Sequence, residues 1–467
     1  MDLNKNIFKA NDIRGIYPSE INKDIVYKIV FGIKDIFKKT VVVGRDARLS
    51  SPELYKSVLG ALSQKNNLKI IEAGLITTPA MYFLVNKFKA DGGIMVTASH
   101  NPKEYNGLKI VGKKAVPMSG RSIFDLFSKR TGVRSVQRGT PPASRPENFR
   151  KVENLSFQDS ETSLRQQIKN NNFYLKEYAK FLKRFIKIKR PLRIVFDCSN
   201  GVAGLVLKDL LGGNKKIDPV FINEKPDGNF PAHSPNPLVS GSLDQIKKEV
   251  IKRRADLGII FDADGDRVFF VDNKGNKIDP DIIGYILMNK FKSPYVVSTI
   301  SSWRVKKVRG AIVARVGHLF MKEMMRKKKA SLGMERSGHY YFKNFFYCDS
   351  GVLAALEIIN FIGNLKIKFS DCVEMLPVYY QIPESNFSLS AGAKNKDLEK
   401  KILKIENIYK PIAKKIKKDD GLLVEMEDWW FSLRFSNSEN LFRLNIEGDS
   451  QELINLKHKE LKRLILN

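Results

Sequence analysis

The chain has 467 residues, 43% of them apolar and 10% aromatic, which excludes disorder as its main state and, at about 150 residues per domain, suggests three or four separate cores. Lys and Arg number 81 against 50 acidic residues, a net charge of +31, which favours polyanionic surfaces or phosphorylated substrates without choosing between them. Three widely spaced cysteines, Cys198, Cys348 and Cys372, form no metal-ligand spacing, and no apolar run approaches the roughly 18 residues of a membrane span, so a disulfide scaffold, a zinc fold and a membrane protein are all disfavoured and a reducing cytoplasm fits.

The first 300 or so residues repeat short β-branched runs ending in Gly, Asp or Ser, each followed by a segment of helical period, the pattern of an α/β fold. Val41-Val42-Val43 leads into Gly44-Arg45-Asp46, and Ser51-Pro52 reads as the N-cap and first position of a helix over 53–64. Ile94-Met95-Val96 leads into Thr97-Ala98-Ser99-His100-Asn101-Pro102, Ile194-Val195-Phe196 into Asp197, and the run 257–261 into Asp262. In open α/β sheets ligands lie beyond the carboxyl ends of strands, where these polar clusters fall. Residues 131–159, rich in Gly, Pro, Ser and Arg, read as a linker or surface excursion. A helix over 174–186 opens a second unit, and strands at 295–297 and 312–316 belong to a third. From 376 onward a Lys-rich helix (397–418), strands at 422–426, 430–435 and 441–446, and a last helix ending at Leu466 form an α+β tail. The expected divisions are therefore 1–165, 166–275, 276–375 and 376–467.

Four constellations carry chemistry. Asp262-Ala263-Asp264-Gly265-Asp266-Arg267 places carboxylates at i, i+2 and i+4 in a loop that Gly265 lets bend, an oxygen-only set suited to Mg²⁺; the plainer alternative is an acidic turn. Thr97 to Pro102 offers either a reactive serine or a capped turn. Glu335-Arg336-Ser337-Gly338-His339 supplies an acceptor, a hydroxyl and an imidazole suited to sugar hydroxyls, or a surface turn. Arg434 and Arg443 flank Ser436, Asn437 and Ser438, either a phosphate cradle or a strand-turn-strand with solvated arginines.

In chain order these four resemble the α-D-phosphohexomutases, in particular the phosphomannomutase/phosphoglucomutase branch. The likeness extends from Phe8-Lys9-Ala10-Asn11-Asp12-Ile13-Arg14-Gly15 through Thr77-Thr78-Pro79, Asn106-Gly107-Leu108-Lys109, His233-Ser234-Pro235-Asn236-Pro237 and Val316-Gly317-His318 to Arg443. It implies three related α/β domains with mixed sheets and a C-terminal α+β domain around a central cleft. It further implies that Ser99 is a phosphoserine and that Ser99, Asp262, Asp264 and Asp266 hold Mg²⁺. Arg14, His100, Lys109 and Arg267 would surround the transferring phosphoryl group. Glu335 and Ser337 would read sugar hydroxyls, with His339 a proton carrier, and Arg434, Ser436, Asn437, Ser438 and Arg443 would hold the phosphate not being transferred. The implied reaction moves a phosphoryl group between C1 and C6 of mannose or glucose phosphate, with a hexose 1,6-bisphosphate as intermediate and activator. Asn11, Met334, Ser350, Ser438 and Asn440 depart from the family's usual residues.

Three alternatives stand beside this reading. The loop around Met334 and Arg336 could suit glucosamine phosphate instead. The run Ile259-Ile260-Phe261-Asp262-Ala263-Asp264 also resembles the start of an aspartyl-phosphate phosphatase, with Asp262 as nucleophile. The charge of +31 raises nucleic-acid binding, although the lysines lie along amphipathic helices and no RNA- or DNA-binding signature occurs, so the expected partner is a small sugar phosphate. The oligomeric state is left open.

Overall fold

The structure is a computed structural model, and it describes residues 4–131, 161–388, 395–435 and 441–466. These residues form four five-stranded sheets. The first runs, across the sheet, Ile13–Ile16, Tyr105–Gly112, Gly92–Val96, Thr40–Arg45, Lys69–Leu75. The second runs Lys277–Ile278, Val268–Asp272, Leu257–Phe261, Leu192–Asp197, Ile217–Ile222, and the third Cys348–Asp349, Tyr340–Phe342, Leu332–Met334, Tyr295–Ser298, Ala311–Ala314. Each has three parallel strands continued by two antiparallel ones, the mixed sheet expected of repeated α/β units. The middle strand is the same in all three: Gly92–Val96, Leu257–Phe261 and Leu332–Met334 lie where parallel pairing gives way to antiparallel. All three are buried along their length, which explains why 94–96 and 257–261 read as unbroken apolar runs rather than alternating ones. The fourth sheet, Tyr380–Ser388, Leu441–Gly448, Trp429–Phe435, Leu422–Glu425, Lys415–Lys417, is antiparallel throughout.

The core follows from this repetition. One apolar cluster covers a face of each of the first three sheets without a break, joining Val42, Met81 and Ala90 to Ile194, Phe261 and Phe270 and on to Val297, Leu332 and Val352. The C-terminal sheet has a cluster of its own, from Phe387 to Ile465. Between the two lies a small aromatic cluster of Trp303, Leu423 and Trp430, with Tyr379 against it.

Local chemistry sets the helix ends, and several differ from expectation. The helix expected over 397–418 ends as Asn395–Tyr409, because Pro411 has no amide hydrogen to continue it and disfavours helical backbone before it; Lys415–Lys417 is then free to pair as an edge strand. The helix expected over 174–186 spans Glu161–Lys183. Ser51 is not a cap: helix Ser51–Ser63 follows Ser50, whose side chain makes no capping bond, and the Ser51 hydroxyl donates to Asp46 Oδ1 at 2.5 Å. The edge strand Lys277–Ile278 still belongs to the second sheet, just past the expected division at 275. Apart from Thr131, the excursion expected at 131–159 lies outside the described residues. Among them, no helix is long and apolar enough to cross a membrane.

Candidate active site

The three equivalent middle strands deliver the three loops. Ser99 follows Gly92–Val96, Asp262 follows Leu257–Phe261 and Glu335 follows Leu332–Met334. Ser99 is buried and its backbone is left-handed, with φ at +53°, a conformation that a non-glycine residue holds only when its surroundings impose it. The surroundings here are a buried Asp46–Arg48 pair. Arg48 donates to the carbonyls of Ser99 (2.7 Å), Asn101 (2.6 Å), Pro102 (2.6 Å) and Tyr105 (3.0 Å), and its Nε donates to Asp46 at 3.1 Å. Asp46 accepts the Thr97 hydroxyl at 2.7 Å, and Thr97 Oγ1 accepts the Ser99 amide at 2.8 Å. The result aims Ser99 Oγ at Asp262 Oδ2, 3.3 Å away, with His100 Nδ1 also at 3.3 Å.

The acidic loop is drawn tight by Gly265, whose φ is +72°. Asp262, Asp264 and Asp266 are all buried, and their oxygens lie within 4.8 Å of one another. Lys109 Nζ donates to Asp264 at 2.8 Å and to Asp266 at 2.5 Å, Thr78 donates to Asp264 at 2.6 Å, and the Arg267 amide donates to Asp262 at 3.1 Å. Two oxygens, Asp264 Oδ1 and Asp266 Oδ1, are buried with no hydrogen-bond partner. Burial, followed by repulsion from Asp266 and Asp264, pushes the Asp262 carboxyl well above the ordinary range. Crowded, buried and under-donated carboxylate oxygens with no soft donor are what a hard divalent cation satisfies, so the residues fit Mg²⁺.

Cations close the other side. Arg14 donates through Nε (2.8 Å) and Nη2 (2.6 Å) to Asp12 and through Nη1 (2.7 Å) to Asn101. Arg267 Nε lies 3.9 Å from Asp262. Burial, and then the charges of Arg267 and Arg14, hold the His100 imidazole well below its usual range, so it is neutral there.

The loop after Leu332–Met334 joins the same centre. His339 Nε2 lies 3.3 Å from Asp266 Oδ1 and its Nδ1 lies 2.9 Å from the Ser337 hydroxyl. The Val268 amide donates to the Gly338 carbonyl at 3.1 Å, stitching the acidic loop to this one. Glu335 is fixed by the Gly317 amide at 2.8 Å and the Tyr341 hydroxyl at 2.5 Å. Met334 does not face the site; it fills the space over Gly284. Ser350 caps helix Gly351–Ile362 and bonds Tyr178, and Asn11 lies against Gly317.

Arg434 and Arg443 are directly opposed across two antiparallel strands. Like charges in that register repel, and Glu384 sits between them, 3.6 Å from Arg434 and 3.3 Å from Arg443. Asp420, which Arg434 approaches to 3.9 Å, accepts the Val316 amide at 3.0 Å and the Thr299 hydroxyl at 2.9 Å, tying this end to the third domain. Ser436, Asn437, Ser438 and Asn440 lie outside the described residues.

Two residues of evident consequence received no role from the sequence. Arg48 stands close behind Gly44-Arg45-Asp46, but the carbonyls it gathers lie some 50 positions away. His318 belongs to the Val316-Gly317-His318 match, yet only the structure shows both ring nitrogens buried without partners. Burial and then Lys322, Lys109 and His339 push its pKa well down.

Residues 5–130, 173–275 and 279–379 match three families described as phosphoglucomutase/phosphomannomutase, alpha/beta/alpha domains I, II and III. Over 98% of its length the chain is 34% identical to a phosphomannomutase of Methanocaldococcus jannaschii, covering 97% of that protein. It is 33% identical to a phosphomannomutase of Escherichia coli over 94% of each chain. A crystal structure described as a phosphoglucomutase/phosphomannomutase family protein from Burkholderia thailandensis superposes with a TM-score of 0.80 at 25% identity, over 99% of this chain and 97% of the other.

Proposed function

The chain belongs to the phosphoglucomutase/phosphomannomutase family and is a hexose-phosphate mutase, an intramolecular phosphotransferase; from that premise we propose that Ser99 is its phosphoryl carrier and that mannose and glucose phosphates are its substrates. The carrying observation is the approach of Ser99 Oγ to Asp262 Oδ2 at 3.3 Å, beside buried carboxylate oxygens that lack donors.

Phosphoryl transfer needs in-line positioning and neutralised charge more than covalent chemistry. Asp262, Asp264 and Asp266, with a phosphoryl oxygen on Ser99, would hold Mg²⁺, which supplies charge neutralisation at the transferring group. Arg14, Lys109 and Arg267 add fixed positive charge on the remaining sides. His100, with Nδ1 at 3.3 Å from Ser99 Oγ, would contact the carrier as a hydrogen-bond partner. Glu335, already holding two donors, keeps acceptor capacity for sugar hydroxyls, and Ser337 orients His339 to carry the proton of the reacting hydroxyl. Arg434 and Arg443, with Ser436, Asn437 and Ser438, would grip the spectator phosphate. Ser99 would give its phosphoryl group to a hexose 1-phosphate, and the 1,6-bisphosphate would turn over in the cleft and return its other phosphate to Ser99.

Cytoplasmic residence is supported by three free cysteines, two of them buried, and the domain divisions near 165, 275 and 375 by one sheet falling mainly in each segment. The test is intact mass before and after turnover, phosphopeptide mapping, and kinetics on four sugar 1-phosphates. Label on Ser99, with glucose and mannose 1-phosphates used within about tenfold of each other and galactose 1-phosphate much poorer, is the expected result. Label on Asp262 would move the chemistry to an aspartyl phosphate, and preference for glucosamine 1-phosphate would reassign the sugar alone.

A further inference from the structure

Arg336 stands between the two proposed sugar-reading residues but turns away from both. Its guanidinium Nη2 donates to Gln381 Oε1 and lies 3.5 Å from Asp279 Oδ2, while its Nε lies 3.6 Å from Asp281 Oδ2. Gln381 belongs to Tyr380–Ser388, the first strand of the C-terminal sheet, and its Nε2 donates to Glu447 Oε2. Glu447 is fully buried. Its other oxygen accepts the Trp303 amide at 2.7 Å and the Trp430 indole N–H at 2.8 Å.

We propose that Arg336 is a positioning residue which, through Gln381 and Glu447, couples the Glu335/Ser337 loop to the seating of the phosphate-gripping C-terminal domain. The proposal rests on the mutase reading above and deepens it. Trp430 and Arg434 share strand Trp429–Phe435, and Glu447 and Arg443 share Leu441–Gly448. In each strand the interior member lies four positions from the arginine, or about 13 Å at the strand rise. The Arg336 bridge therefore grips the inner ends of the two strands whose outer ends carry the phosphate arginines. A sugar phosphate that fixes the loop at one end and the arginines at the other closes a loop of contacts through this bridge.

The junction is also sparsely satisfied. Asp281 Oδ1, Arg304 Nη1 and Lys306 Nζ are buried there without hydrogen-bond partners, each a missing hydrogen bond that costs the docked arrangement. Among the described residues its hydrogen-bonded links are the Arg336–Gln381 bond, the two bonds to Asp420 and the Trp303 amide on Glu447, beside the small aromatic cluster and the cations of Arg304, Lys306 and Lys307 against Tyr379 and Trp430. A seat with so few ties is one that a single bridge can bias.

The experiment uses the full chain, glucose 1-phosphate as substrate and glucose 1,6-bisphosphate as binding probe. Gln381→Ala removes the bridge but leaves Arg336 with its two aspartates, and Arg336→Lys keeps the charge but not the fork. Each should raise KM about tenfold while kcat, at saturating bisphosphate, changes less than about threefold, within the span of a typical coupling energy. Hydrogen exchange at the Trp303 and Val316 amides, whose acceptors lie on the C-terminal domain, should slow with the probe in the wild type and not in Gln381→Ala. A double variant no worse than either single one completes the case. A wild-type KM and wild-type protection in Gln381→Ala, or additive losses in the double variant, would overturn the coupling. A wild type that neither turns over glucose 1-phosphate nor responds to the probe would instead overturn the mutase reading, and this proposal with it.

Discussion

The two ends of the site are built to different standards of rigidity. At the Ser99 end, the groups are buried, the loop backbone is pinned by Arg48 through four carbonyls, bonds from Thr78 and Lys109 converge on the acidic loop, and His339 Nε2 stands 3.3 Å from it. At the Arg434/Arg443 end the guanidinium groups face each other on an antiparallel ribbon, share one carboxylate, and belong to a domain with its own core. Bond making tolerates little displacement of the reacting atoms. A grip that must accept either end of a sugar bisphosphate needs charge and reach, and gains nothing from a rigid cage. Preorganisation is concentrated where atoms move between partners and withheld where the ligand must turn around.

That contrast can be broken first at the rigid end. Asp264→Asn removes one negative charge but keeps the shape, leaving Lys109 and Thr78 competing for a weaker acceptor; turnover should fall by at least about a thousandfold, with metal affinity falling alongside and sugar-phosphate binding changed far less. Titrating Mg²⁺ against single-turnover rates checks this, and undiminished turnover in excess chelator would remove the metal assignment. At the adaptable end, Arg443→Ala should raise KM roughly ten- to a hundredfold, with a smaller effect on kcat and more bisphosphate released per turnover. Steady-state kinetics with trapping of released bisphosphate decides it. Glu384→Gln sharpens the comparison in the opposite direction. It removes the anion that competes for both arginines, so KM should fall about two- to fivefold, most clearly at low ionic strength.

The smallest effect concerns stability at the junction between these ends. Lys306 Nζ is buried 3.6 Å over the Trp430 ring, and desolvation lowers its pKa to about 8 despite the attraction of Glu447, Glu425 and Asp281. The unfolded chain keeps this proton up to about pH 10.5, so between about pH 8 and pH 10.5 it binds more protons than the folded chain and stability rises with pH. Below pH 8 the full penalty remains. Lys306→Met should therefore stabilise the protein by about 1–2 kcal/mol at pH 7, and the gain should fade by pH 10 to 11, as read from denaturant midpoints at the two pH values.

Wherever local pattern and local chemistry coincide, the sequence is readable. The first two middle strands are apolar on both faces and lead straight into the Ser99 and Asp262 loops, so the α/β fold and those loops can be seen without coordinates, whereas Leu332–Met334, three residues with Gly333 at its centre, shows no strand pattern and only the polar loop after it is legible. The mixed sheets and the order of the four loops came from the family resemblance. Arg48 was not visible, because an arginine's role as a backbone clamp is defined by carbonyls distant in the chain. Arg336 read as a perturbation of the sugar loop, because its neighbours in sequence are sugar-facing and the residues it touches are not. The helix expected over 397–418 continued past Pro411 because the lysine-rich periodicity does so, although backbone chemistry stops it.

The continuous core beneath the first three sheets also bears on how the chain is made. Strand Ile13–Ile16 pairs with Tyr105–Gly112, Tyr178 bonds Ser350, and Arg326 reaches the carbonyls of Lys114 (3.2 Å) and Ala115 (3.4 Å). Early-synthesised segments thus wait for partners that emerge about 90 to 210 residues later, and their shared apolar face stays uncovered meanwhile. The last domain carries no such debt: its core closes within its own residues. A growing chain of this protein should accordingly depend on chaperones until helix Gly351–Ile362 has left the ribosome, and much less once only the final antiparallel sheet remains to be added.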